Sequence, residues 1–157
     1  MFRLFFILSF LSLTISCQDK FNDSRTPEYL IFGEFYGMCN GETCVEIFKI
    51  DHNNLYEDEN DNYPNSLNIS DTKFNLLDKE KYELVRELIN DFPSALLAES
   101  EHTLGCPDCH DQGGFYIEYK NQNDHQFWII DQNLGAVDKN LHAFLHQVSE
   151  SIALIKQ

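Results

Sequence analysis

Four cysteines and two histidines carry the side chains best suited to chemistry in this sequence. They are Cys39 and Cys44, Cys106 and Cys109, and His102 and His110. The first cysteine pair has C-x4-C spacing, and the second has C-x2-C spacing with a histidine directly after it. Such residues could form disulfides, hold zinc as thiolates and imidazoles, attach haem c through a C-x-x-C-H motif, or exchange thiols with a partner.

The composition describes an acidic folded chain. It has 157 residues, 26 of them acidic and 11 basic, a formal net charge of -15 and 43% hydrophobic residues. This hydrophobic content supports a packed core, and the length fits one domain. Binding to DNA or RNA requires a basic surface, so the charge excludes nucleic acid as a partner. The same negative charge excludes membrane binding through a polybasic segment that contacts anionic lipid.

The N-terminus predicts export. Arg3 is followed by an apolar run over residues 4–13 and then by small residues, which is typical of a signal peptide. The run is about half of the ~20 residues that span a bilayer. Residues 13–17, Leu-Thr-Ile-Ser-Cys, resemble the lipobox of bacterial lipoproteins. The resemblance implies a signal peptide over residues 1–16, lipidation of Cys17, and a lipid-anchored protein of the cell envelope, expected at the outer membrane. The polar residues 17–27 then form a tether.

Export favours disulfides for the four remaining cysteines. An even number of cysteines in an exported domain is typical of a disulfide framework, and three pairings stay open. The C-x2-C pair precedes two glycines and a strand-like run rather than a helix, which weighs against haem attachment and thiol exchange. No cofactor is therefore expected. Zinc and haem c stay open as alternatives, with Cys106, Cys109, His110 and His102 as candidate ligands.

Two acidic patterns could bind cations. Residues 51–71 contain six acids and no lysine or arginine. An EF-hand alignment from Asp58 fails because Tyr63 and Ile69 stand where glycine and glutamate are needed, so only a looser calcium site stays open. A second row recurs every four residues along the predicted C-terminal helix: Asp138, His142, His146 and Glu150. It drifts by about 40° per step and indicates a solvated flank.

The hydrophobic patterns predict an α+β domain. Strands are predicted over residues 28–36, 44–51, 55–57, 115–119 and 126–131. Helices are predicted over 78–92, with Asp78 as the cap, and over 138–155, with one more turn near 94–97. The expected core of the second helix is Leu141, Phe144, Leu145, Val148, Ile152 and Ile155. We predict a single domain over residues 28–157, a mainly antiparallel sheet with two helices packed on one face.

Two segments carry a family resemblance. Residues 32–39, FGEFYGMC, and 105–114, GCPDCHDQGG, resemble a group of small lipoproteins of Bacteroidota-type bacteria. The resemblance implies an envelope compartment and brings no mechanism with it. It also implies that the position of His110 is not restricted to histidine, which weakens the haem alternative.

The sequence lacks the common catalytic signatures. It contains no G-x-S-x-G, phosphate loop, H-E-x-x-H or G-x-G-x-x-G. Gly113 and Gly114 predict a tight backbone path or a close approach to a neighbour. We therefore predict a lipid-anchored binding module with disulfide-stapled loops and without catalytic activity. Its expected partners are the membrane and an envelope protein or small molecule. The alternative is a metal-binding or thiol redox protein that uses Cys106, Cys109 and His110.

Overall fold

A computed structural model describes residues 27–64 and 72–157. In these ranges seven strands form one sheet: β1 Tyr29–Phe35, β2 Val45–Asp51, β3 Leu55–Asp58, β4 Phe74–Leu76, β5 Thr103–Leu104, β6 Gly114–Lys120 and β7 His125–Asp131. Two α-helices accompany them, α1 Lys79–Val85 and α2 His142–Ile155. Short 3-10 helices cover Glu42–Cys44, Arg86–Ile89, Leu96–Ala98, Leu134–Ala136 and Lys139–Leu141. The predicted signal peptide and Cys17 lie outside the described residues, as does the predicted tether except for Pro27.

The sheet has the order β4-β3-β2-β1-β6-β7-β5. Its neighbours pair antiparallel except β5 and β7, which run parallel. The mainly antiparallel sheet confirms the predicted α+β class, and all five predicted strands are present within a residue or two of their predicted ends. The edge strands β4 and β5 are the two that the sequence analysis missed, because two or three residues are too short to show an alternating pattern.

The main core lies between the sheet and both helices. Strand residues such as Phe32, Phe48 and Trp128 are fully buried there against α2 and the segment from α1 to Ile89. All six predicted core positions of the second helix are buried. Both helices therefore pack on one face of the sheet, as predicted, because their apolar stripes need that face to leave water.

The predicted first helix is shorter than expected. It is α-helical only over Lys79–Val85 and continues as a 3-10 helix to Ile89, before Pro93. Asp78 occupies the cap position, but its side chain caps no backbone N–H, so the prediction of a side-chain cap was wrong. The second helix begins with a 3-10 turn in which the Asp138 side chain accepts a hydrogen bond from the Asn140 N–H, 2.8 Å away.

The opposite face of the sheet holds a smaller cluster and a buried acid. Ile31, Phe35 and Tyr116 are buried on this face. Beside them Glu118 is fully buried, with Oε2 accepting the Tyr116 hydroxyl at 2.6 Å and Oε1 lying 2.8 Å from His125 Nε2. The sequence does not indicate this polar group, because Glu118 lies in the middle of a strand otherwise rich in aromatic residues.

Candidate functional site

The four cysteines form two local pairs. Cys39 and Cys44 lie at disulfide-bonding distance between β1 and β2, and Cys106 and Cys109 do so between β5 and β6. In both pairs the Cα atoms are 5.5 Å apart, within the range that a disulfide requires. Of the three pairings that the sequence left open, the structure has the one in which each loop closes on itself.

Both cysteine loops lie at the same end of the sheet. Phe35, the last residue of β1, pairs with the first residue of β2 on one side and with the first residue of β6 on the other. The Tyr36 N–H donates to the carbonyl of Cys44 at 2.9 Å. A methyl group added to Gly37 would overlap the Asp108 carboxylate, so the two loops touch. We call residues 36–44 and 105–113 together the disulfide end.

The two consecutive glycines allow a close approach between strands. Gly113 has a φ of +79°, and a Cβ there would collide with the Phe35 carbonyl and the Tyr36 ring. A Cβ on Gly114 would enter the ring of Phe35. The predicted tight path is therefore confirmed, and what approaches the glycines is the end of β1.

A buried aspartate anchors the second cysteine loop. Asp131, the last residue of β7, is only 2% exposed. Its Oδ2 accepts the Cys106 N–H at 2.9 Å, and its Oδ1 accepts the Gln112 side-chain amide at 3.2 Å. Gln112 in turn donates to the Cys106 carbonyl at 2.9 Å. The start and the end of the loop are thus tied to one carboxylate.

The pKa of Asp131 reflects these contacts. Burial alone would raise it, but the backbone N–H groups of Asn133 and Cys106, the Gln112 amide and the charge of His110 outweigh burial and hold the pKa below its ordinary value. The carboxylate therefore stays ionised at neutral pH, which strengthens each hydrogen bond that it accepts.

A second aspartate supports the same loop from within. Asp108 has a φ of 56°, and its side chain accepts the Gly113 N–H at 3.0 Å, while its own N–H donates to the Gly113 carbonyl at 2.9 Å. The Tyr63 hydroxyl donates to its other carboxylate oxygen at 3.0 Å. Burial and this carboxylate raise the pKa of Tyr63 to about 12. The phenol therefore remains a neutral donor.

The outer side of the disulfide end combines apolar and acidic groups. Met38 is 79% exposed, and Tyr63, which contacts the disulfide end through Asp108, is 45% exposed. The side chains of His110 and Asp111 are also exposed. Large apolar side chains held at the surface by a fixed backbone are suited to contact with a partner.

The structure places one of the four candidate metal and haem ligands, His102, away from the other three. His102 stacks on Phe127, with 4.9 Å between the ring centroids. Phe127 and Asp131 are four residues apart on β7, about 13 Å at the rise of a strand, and Asp131 holds Cys106. His102 therefore lies well away from the C-x2-C pair. His110 is next to that pair, but its ring is exposed. Within residues 27–64 and 72–157, no three His, Cys, Asp or Glu side chains converge as a metal site.

The two other candidate cation-binding patterns lie in different places. The 51–71 stretch borders the disulfide end, because Asp58, Glu59 and Asp61 line a cavity together with Thr43. Residues 65–71 of this stretch lie outside the described residues. Asp58 is buried, and its Oδ1 accepts the Asn60 N–H at 2.8 Å. Burial raises the pKa of Asp58. Along α2 and its cap the predicted row is mostly exposed, while the His142 ring bonds to the Val137 carbonyl.

No protein-family model matches this chain, and no curated protein matches it either. Among the described helices none is long and apolar enough to cross a membrane.

Proposed function

We propose that this protein is a lipid-anchored envelope module that binds a partner through the disulfide end and performs no catalysis. The observation that carries the proposal is the meeting of both cysteine loops at one end of the sheet, with Asp131 and Asp108 holding the second loop in a fixed conformation. A binding surface gains affinity when its conformation is fixed in advance, because less ordering entropy is lost on binding.

The exposed groups fit a macromolecular partner. Met38 and Tyr63 supply two apolar anchors, Asp108 accepts the Tyr63 hydroxyl, and Asp111 of the same loop is exposed. We expect a partner surface with an apolar depression and a basic rim, since the chain carries a net charge of -15. The anchor belongs to the same proposal: an acylated Cys17 would hold the domain at the membrane, and two acyl chains suffice for stable attachment.

Site-specific crosslinking in the native host tests the binding surface. A photoreactive amino acid is placed at Met38 in one variant and at Leu84, which is 56% exposed on α1, in the control. We expect one adduct of defined mass from position 38 and none from position 84. Equal labelling from both positions, or no adduct from position 38, would contradict the proposal.

The anchor is tested separately. Replacing Cys17 by alanine should move the protein from the membrane fraction to the soluble fraction of the envelope. A Cys17→Ala protein that still sediments with membranes would contradict lipidation at this residue, while leaving the crosslinking result to stand for the binding surface.

The alternative function, a metal or thiol redox site, predicts different properties of the purified protein. It requires Cys106 and Cys109 beside His110 as metal-bound thiolates, as thioethers to haem, or as a thiol pair that is reversibly oxidised to a disulfide. Protein purified from its own envelope would then contain metal, show a haem absorption band, or reduce insulin disulfides. If all three signals are absent, the metal and redox alternative is contradicted and the binding module is favoured.

A further inference from the structure

The sheet face opposite the helices contains a small cavity away from the disulfide end. It has a volume of about 220 Å³ and is lined by Lys49, Asp51, Tyr56 and Phe74. Lys49 pairs with Tyr56 across β2 and β3, and Phe74 follows on β4, so three adjacent strands form its floor and wall. Along β2, Lys49 is four residues from Val45, about 13 Å from the disulfide end.

Two aromatic rings hold the lysine of this cavity in place. The Lys49 Nζ lies 4.3 Å from the centroid of the Tyr29 ring and 5.6 Å from that of Phe74. No carboxylate in the described ranges forms an ion pair with it. Aromatic faces attract the ammonium, but they leave its three N–H donors without strong acceptors. An anionic group that enters the cavity would supply those acceptors.

Asp51 provides a fixed acceptor in the same cavity. Its Oδ1 accepts the backbone N–H groups of Asn53 and Asn54, at 2.7 and 2.8 Å. Among the described residues, the Tyr56 hydroxyl is the one donor to its Oδ2, at 3.2 Å. A carboxylate has about four lone-pair sites, so Oδ2 retains the capacity to accept a hydroxyl group of a ligand.

The chemistry of these groups selects the ligand class. The Lys49 ammonium offers donors to an anion, and Asp51, two residues further along the same strand face, offers an acceptor to hydroxyl groups. A sugar ring with one carboxylate places acid and hydroxyl groups on opposite sides of the ring, and its C–H face can lie on Phe74 or Tyr56. The volume is below the roughly 300 Å³ at which pockets for drug-sized ligands begin, which suits a single ring.

We propose that this cavity binds one uronic-acid ring, with Lys49 on the carboxylate and Asp51 on the ring hydroxyls. This site goes beyond the proposed function, because it lies on another part of the sheet and needs no contact with the disulfide end. Its failure in an experiment would leave the crosslinking test unaffected.

Calorimetric titration of the folded protein tests the proposal. The probes are glucuronate and galacturonate, with glucose and glutamate as matched compounds. We expect at least one uronate to bind with a Kd on the order of 1 mM or tighter, and both matched compounds to bind at least ~10-fold more weakly. Glucose binding as tightly as the uronates, glutamate binding more tightly, or no uronate binding at 10-fold higher concentration would each overturn it.

Variants assign the binding to these residues. Lys49→Gln should weaken uronate binding at least ~10-fold, because a charge-assisted hydrogen bond is lost. Lys139→Gln, an exposed lysine elsewhere, should leave it unchanged. Phe74→Leu keeps the charge, removes the ring and should also weaken binding, so the proposal stays testable if Lys49→Gln unfolds. Unchanged affinity in a folded Lys49→Gln protein, or in Phe74→Leu, would contradict the site.

Discussion

Two buried aspartates should respond in opposite ways to the same substitution. Asp131 and Asp58 are 2% and 5% exposed, yet the pKa of Asp131 is lowered and that of Asp58 is raised. Asp131 accepts three hydrogen bonds, two of them from backbone N–H groups, whereas Asp58 accepts one from Asn60. The ionised form is therefore stabilised by folding at one site and disfavoured by burial at the other.

Asp131→Asn should destabilise the domain by about 2–4 kcal/mol. An asparagine has one acceptor oxygen, so its NH₂ group must face either the Cys106 or the Gln112 and Asn133 donors, and at least one buried donor is left unsatisfied at a cost of about 1–3 kcal/mol. The remaining bonds also lose their charge assistance, which adds about 1 kcal/mol. With a urea m-value of about 2 kcal/mol/M, the unfolding midpoint should fall by about 1–2 M.

The assay is urea unfolding at pH 7 of three Asp→Asn variants, at Asp131, Asp58 and Asp138. Asp58→Asn should be as stable as the wild type or more stable, because the amide oxygen still accepts the Asn60 N–H without a buried charge. Asp138→Asn is the control, since Asp138 is exposed and asparagine caps a helix as well as aspartate does. Hydrogen exchange of the Cys106 amide detects local opening of the loop that the global transition would miss.

The pH dependence gives the sign of the effect. A lowered carboxylate pKa contributes stability that is present above the unfolded value near 4 and is lost as the pH falls through the folded pKa. The difference in the free energy of unfolding between the wild type and Asp131→Asn should therefore decrease below pH 4. An Asp131→Asn protein that matches Asp138→Asn in both stability and Cys106 exchange would refute the proposed anchoring of the loop.

Four further outcomes follow from single contacts. Gly114→Ala should cost about 1–3 kcal/mol in urea unfolding because its methyl group enters the Phe35 ring, whereas Gly135→Ala should stay within about 0.5 kcal/mol. In an alkaline titration, the absorbance difference between the wild type and Tyr63→Phe should show one phenol ionising near pH 12. In unfolding experiments, the wild type should lose stability relative to the variant as the pH rises above 10. Glu118→Ala should cost about 3 kcal/mol by removing the buried carboxylate that accepts the Tyr116 hydroxyl and bonds His125, and a loss below about 1 kcal/mol would contradict this role. Trp128, the one tryptophan of the chain, is fully buried, so its native fluorescence should be blue-shifted and move to longer wavelength on unfolding.

The central part of the fold could be predicted from the sequence because it depends on local patterns. The alternating apolar residues of β2 and the 3/4 spacing of α2 each indicate which side chains must leave water. The edge strands β4 and β5 could not be predicted in this way, because their place in the sheet depends on neighbours distant in the sequence. The early change of the first helix to 3-10 geometry at Arg86 also has no local signal.

The candidate site was predictable in its residues and not in its geometry. Cysteine spacing identified the loops, and the consecutive glycines indicated a close approach. The role of Asp131 depends on β7 lying beside the second loop, which is a contact between residues 25 positions apart. In the sequence, Asp131 is distinguished only by its position at the end of a predicted strand. The proposed role of Lys49 likewise depends on its contacts with Tyr29 and Phe74 on other strands, which the sequence alone does not show.

Counting thiols and metal on protein purified from its native host tests the central claim most directly. The claim is that the four cysteines are two local staples at one end of the sheet. Alkylation without reductant should modify none of these four cysteines, and peptide mapping should join Cys39 to Cys44 and Cys106 to Cys109, with no bound metal or haem. Four alkylated cysteines, a cross-linked pairing between the two loops, or stoichiometric metal would contradict it.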